Sequence, residues 1–178
     1  MRKLVSVLCV LIFIFSFTAC KAKNSANSDS FDSESGSQSQ SSASESGEEP
    51  QPDYTVVRAD VKNGDKNIYG ELFVPSAKKE KYPLVILSHS AFLTGNSLKD
   101  YAIGFVKRGF MAYTFDFCGG SPFSKSDGSQ KNATIFTFIS DLDSVIAEFS
   151  ARADVSEINL FGTSQGGLVS ALTAAKHE

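Results

Sequence analysis

An alternation in the second half of the chain restricts its possible folds most: short continuous apolar runs separated by longer stretches of helical periodicity. Pro83 introduces "LVILSHS", the kind of run expected of a strand buried on both faces. "SLKDYAIGFVKRG" sets Leu98, Tyr101, Ala102, Phe105 and Val106 on one helical face and stops at Gly109. "FMAYTFDF" predicts a second buried strand. After a loop rich in Gly and Ser, "TIFTFISDLDSVIAEFSA" predicts a helix with Ile139, Leu142, Val145, Ile146 and Phe149 on its inner face. "EINLFG" reads as a third such strand, and "GGLVSALTAAK" as a closing helix. Strands alternating with helices pair in parallel through right-handed crossovers, so the fold class is α/β, with helices on both faces of the sheet. Ahead of this region, "YTVVRADVKNGDKNIYGELFVP" predicts an antiparallel hairpin around Asn63-Gly64-Asp65.

In such sheets chemistry gathers at the carboxyl ends of the strands. "SHSAF", "DFCGGSP" and "GTSQGG" lie at those ends. The last is a GxSxG pattern, Gly162 to Gly166, placed between a strand and a helix, the setting a nucleophile elbow needs. Gly162 and Gly166 lack side chains that would collide in so sharp a turn, which pushes Ser164 into an exposed, strained conformation. A serine hydroxyl still needs a base to take its proton. His177 lies on the same helix as Ser164, roughly 20 Å further along it, and cannot reach. Asp141 and Asp143 read as first-turn helix acids near the positive end of a dipole.

From Tyr54 onward the chain resembles an α/β-hydrolase. "LSHS" at 87–90, "FDFCGGSPFSKSDG" at 115–128 and "FGTSQGG" at 161–167 correspond to the HG motif, the Gly-rich loop and the elbow of bacterial feruloyl- or cinnamoyl-esterase-like enzymes and serine aminopeptidase S33-type hydrolases. The resemblance implies an acyl-enzyme on Ser164. Its oxyanion would be held by the backbone N–H of Gln165 and by a second N–H at Ala91, with Phe92 as the alternative donor. Ser90 stands where HG has its glycine and would be strained if that position requires a positive φ. The resemblance makes His89 a support of the oxyanion loop and Asp116 a loop organiser. Cys118 stands where many relatives carry Arg and reads as a small packed side chain.

In this superfamily the triad order is Ser, then Asp or Glu, then His. The resemblance therefore implies the N-terminal part of an α/β-hydrolase, truncated after the nucleophile helix and inactive by itself. It also implies that "EINLFG" pairs with "LVILSHS" on one side and with a sixth strand on the other, leaving an open apolar edge here. Rival readings are an S33-like peptidase and a non-catalytic binding lipoprotein on a degenerate hydrolase scaffold.

The first third is different. Residues 1–19, "MRKLVSVLCVLIFIFSFTA", have the positive start and apolar run of a signal peptide, shorter than the roughly 20 residues of a spanning helix. "FTAC" resembles a bacterial lipobox, which implies lipidation of Cys20 and an extracytoplasmic, membrane-anchored protein. Residues 20–52 are Ser-rich and acidic with a single aromatic, and read as a disordered tether. Residues 53–178 form the hydrolase-like domain. A formal net charge of −3 without a Lys/Arg stripe argues against a nucleic-acid partner. The partners expected are a small ester or acyl substrate and the membrane, with no cofactor and no metal. Nothing in the sequence fixes the oligomeric state.

Overall fold

The computed structural model describes the backbone of residues 5–9 and residues 53–177. The lipobox, Cys20 and the tether lie outside the described residues. The strands are β1 (Val5–Cys9), β2 (Tyr54–Arg58), β3 (Val61–Asn63), β4 (Lys66–Ile68), β5 (Gly70–Pro75), β6 (Tyr82–Ser88), β7 (Met111–Phe115) and β8 (Val155–Gly162). The helices are α1 (Lys99–Val106), α2 (Ile135–Ala151) and α3 (Gln165–Ala174).

Six strands form a mixed sheet in the order β1-β8-β6-β7-β5-β2. β2, β5 and β7 pair antiparallel in turn, and β7, β6, β8 and β1 run parallel. The run of β6–α1–β7–α2–β8–α3 is the one the sequence predicts. The opening antiparallel hairpin is present, with each arm broken into two strands. Asn63-Gly64-Asp65 closes a separate ribbon of β3 and β4, three residues each, while β2 pairs with β5 beyond it. Gly64 supplies the positive φ of 62° that this turn requires.

Side-chain alternation along the buried strands makes a core on each face of the sheet. Leu84, Ile86, Tyr113, Phe115 and Leu160 point toward α2 and α3, joining Leu142, Phe149 and Val169. Val85, Leu87, Ala112 and Phe161 point the other way, toward Leu98, Ala102 and Val106 of the α1 region. Tyr101 stays 45% exposed, since α1 is only eight residues long and buries a narrow stripe.

The inner face of α2 departs from the predicted one. Phe138 and Asp141 are buried on it, while Ile139 is only partly buried. Phe138 turns inward because Phe117 from the loop after β7 packs against it, ring centroids 4.8 Å apart. Asp141 is no first-turn acid: Ile135 begins the helix, which Thr134 and Thr137 close with reciprocal capping bonds.

The outer edge of β8, expected to be open, is paired with β1 in register from Val5↔Ile158 to Cys9↔Gly162. An apolar leader rich in Val and Leu has the composition of a buried parallel strand, so it satisfies an edge that would otherwise present unpaired amides and carbonyls.

Candidate active site

Ser164 ends the turn out of β8 and stands at the N-terminus of α3 with φ 50° and ψ −120°. Such torsions cost a non-glycine residue about 1–3 kcal/mol and persist only where the surroundings dictate them. Two glycines do so here. A Cβ on Gly166 would lie 2.1 Å from the Ser88 carbonyl oxygen, and one on Gly162 would lie 2.4 Å from the Gly166 backbone. The chain passes so close to β6 that only glycine fits, and the turn throws Ser164 outward, where it is exposed. Its hydroxyl makes no hydrogen bond to the described residues, nor does it cap α3. The Thr163 amide donates to Ser88 O (3.2 Å), and the Gly166 amide donates to Thr163 O (2.9 Å).

The loop after β6 faces this turn. His89 is 2% exposed. Its Nε2 accepts the Phe117 amide (3.1 Å), so Nδ1 carries the proton and donates to Ser90 O (2.8 Å). Burial lowers its pKa and keeps the ring neutral. With both nitrogens engaged, His89 holds two loops together and is no base for Ser164, as the resemblance implies. The left-handed strain of this loop falls on Phe92 (φ 61°) and not on Ser90. The Ser90 Oγ lies 2.9 Å from Thr163 Oγ1 and 3.2 Å from Thr163 O. The amides of Ala91, Phe92 and Gln165 donate to no acceptor among the described residues.

The Gly-rich loop after β7 supplies the third wall. Asp116, 3% exposed, accepts from the Gly95 amide with one oxygen and from the Lys125 amide with the other, both at 2.8 Å. That is the loop-organising role the resemblance implies. Ser126 Oγ donates to Asp116 O (2.6 Å) and Ser124 Oγ to Phe117 O (3.2 Å). Ser121 Oγ donates to Phe92 O (3.0 Å), tying this loop to the one after β6. Asp141 reaches in from α2 to accept the Cys118 amide and Asn63 Nδ2, both at 2.8 Å. Burial pushes its pKa up against the pull of these bonds. Sequence reasoning missed this residue, although an acid inside the stripe Phe138, Leu142, Val145 was the available signal. Cys118 is a packed thiol whose pKa burial raises to about 12, which makes it a poor nucleophile.

Ala91, Phe92, Gly120, Ile135, Phe138 and Gln165 border a common cleft of about 390 Å³. The predicted oxyanion donors Ala91 and Gln165 thus share one cavity beside Ser164. His177 does not join them. It lies beyond the far end of α3, with Nε2 3.0 Å from Asp143 Oδ1, and Asp143 also pairs with Lys176. No group of three or more His, Cys, Asp or Glu side chains suited to a metal ion occurs among the described residues. No described helix is long and apolar enough to cross a membrane.

No protein-family model matches the chain, and no curated protein matches it. Solved structures do. Est1E from Butyrivibrio proteoclasticus, with ferulic acid bound, is similar at 24% identity and a TM-score of 0.62, over 66% of this chain and 47% of that one. DcsB, in complex with its substrate analogue, is 31% identical with a TM-score of 0.57, over 68% of this chain and 41% of its own. The α/β-hydrolase GrgF from Penicillium sp. sh18 is 23% identical with a TM-score of 0.58, over 70% and 43%. The chain spans less than half the length of these three proteins. Its strand order, its helices on both faces and these likenesses give the chain part of the α/β-hydrolase fold.

Proposed function

We propose that this chain is the nucleophile-bearing, N-terminal part of a serine hydrolase acting on carboxylic esters. The observation that carries the reading is the exposed Ser164 at φ 50°, next to a cleft onto which the loops of Ala91 and Gln165 open. Ser164 Oγ attacks the ester carbonyl and passes its proton to a histidine base supplied downstream of Glu178. The amides of Gln165 and Ala91 donate to the oxyanion as it forms. The bond to the leaving alcohol breaks, the alcohol departs with that proton, and water releases the acid from the acyl-enzyme. Residues 1–178 alone, without the downstream acid and base, keep no useful turnover.

The leader and lipobox support an extracytoplasmic protein held on the membrane through lipidated Cys20. Processing there removes β1 with the leader and frees the edge of β8 for a downstream strand. Replacing Cys20 by Ser blocks processing or releases the protein from membranes; unchanged processing and partitioning would contradict the anchor.

The test of function uses the full-length gene product with an activated p-nitrophenyl ester. The expected result is a burst of p-nitrophenol, with burst and turnover both lost in Ser164→Ala. Turnover that survives in Ser164→Ala would contradict this reading.

A further inference from the structure

The residues flanking the site on its two loops are joined by their hydroxyls, a link that neither the GxSxG pattern nor the HG resemblance contains. Ser90 precedes the loop amides at Ala91 and Phe92, and Thr163 precedes Ser164. Their oxygens are 2.9 Å apart, and Ser90 Oγ is also within 3.2 Å of the Thr163 carbonyl. One assignment satisfies both contacts: Thr163 Oγ1–H donates to Ser90 Oγ, and Ser90 Oγ–H donates to Thr163 O. A glycine at position 90 could make neither bond. Because the positive φ of this loop falls at Phe92, the serine sits at its position without left-handed strain.

The second contact has a mechanical consequence. The Thr163 carbonyl belongs to the peptide whose nitrogen is that of Ser164, so its orientation is linked to the Ser164 φ of 50°. Holding that carbonyl from the Ser90 side and from the Gly166 amide (2.9 Å) fixes the plane about which Ser164 turns. The same pair sets the separation of the two loops that carry the amides of Ala91 and Gln165. Both hydroxyls are half-buried and need no other partner.

We propose that Ser90 and Thr163 are positioning residues, whose hydroxyl pair locks the oxyanion loop to the nucleophile turn and holds Ser164 at its strained torsion. The inference rests on Ser164 being the nucleophile. A misplacement near 1 Å at a reacting group costs up to about 100-fold in rate, so losing the link is read in kcat and not in substrate affinity.

The experiment compares the full-length protein with Ser90→Ala, Thr163→Val, the double variant and Ser90→Thr. Ser90→Ala, which removes both contacts, is expected to lower kcat about tenfold, and Thr163→Val, which keeps the bond to Thr163 O, by less, each with KM held within about twofold. The double variant should be no slower than Ser90→Ala, which already removes both contacts, and Ser90→Thr should restore most of the rate. A second readout, amide hydrogen exchange, needs no turnover. Ser90→Ala should speed exchange at Gly166 and Leu168, whose amides bond Thr163 O and Ser164 O, and Thr163→Val should speed it at Leu93, whose amide bonds Ser90 O, with β6 and β7 amides unchanged. Unaltered kcat in Ser90→Ala, multiplicative losses in the double variant, or exchange changes confined to the mutated loop would each overturn the proposal. Turnover that persists in Ser164→Ala would sink the nucleophile reading instead, and the cross-loop exchange would still decide whether the lock exists.

Discussion

The loop after β7 and the turn after β8 border the same site but are held in different ways. The first, from Asp116 to Ser126, is a polar lattice: Asp116 and Ser121 bond backbone groups of the segment after β6, Ser124 and Ser126 bond backbone within the loop, and His89 accepts the Phe117 amide. The second is held mainly by contact. Gly166 lets the chain touch β6, Gly162 lets the turn fold back on the start of α3, and the strain of that approach is concentrated at Ser164. A lattice shares its load over many bonds, so it should lose stability in steps. A steric turn either fits or does not.

The largest effect is therefore expected at the turn. Gly166→Ala places a methyl 2.1 Å from a β6 carbonyl oxygen, and only backbone movement can relieve it. The expected loss exceeds about 3 kcal/mol, seen in urea unfolding of the full-length protein. A loss under about 1 kcal/mol would mean that the turn is as yielding as the lattice. Asp116→Ala should be less severe. It leaves the buried amide of Gly95 and the part-buried amide of Lys125 without their acceptor, at about 2–3 kcal/mol with partial rehydration. A loss as large as that of Gly166→Ala would erase the distinction drawn here.

The smallest effect is a pH dependence of the lattice. Burial lowers the His89 pKa in the folded protein relative to the unfolded chain. The unfolded state thus takes up the proton first, and the stability His89 contributes is complete above about pH 6.5 and declines as pH falls through the folded value. Protonation also turns Nε2 into a donor facing the Phe117 N–H. Unfolding midpoints at pH 7.5 and 5.5 should diverge in the native protein and converge in His89→Gln. Equal divergence in both would remove His89 from the account.

What the sequence made legible follows from the range of the interactions involved. The alternation of β6, α1, β7, α2, β8 and α3 is written in local periodicity, and the elbow in two glycines around one serine. The hidden features depend on distant partners. Asn63 bonds Asp141 across 78 positions, so the partner that holds Asp141 inward could not be read from α2 itself. The inner face of α2 was read one residue off at Ile139 because Phe117, on another loop, draws Phe138 inward. The leader was ambiguous for a different reason: a short apolar run has no period that separates a signal segment from a buried strand, and Val5–Cys9 pairs with β8. Ser90 was legible as a departure from HG, but its bond to Thr163 was not, since 73 positions separate the two.

The central claim is that strain at the turn presents Ser164 as the nucleophile. A fluorophosphonate probe, followed by peptide mass mapping of the full-length protein, tests it most directly. The account predicts one adduct, on Ser164, absent from Ser164→Ala and much reduced when the protein is unfolded in urea before labelling. An adduct on any other residue, or labelling that survives in Ser164→Ala, would contradict it.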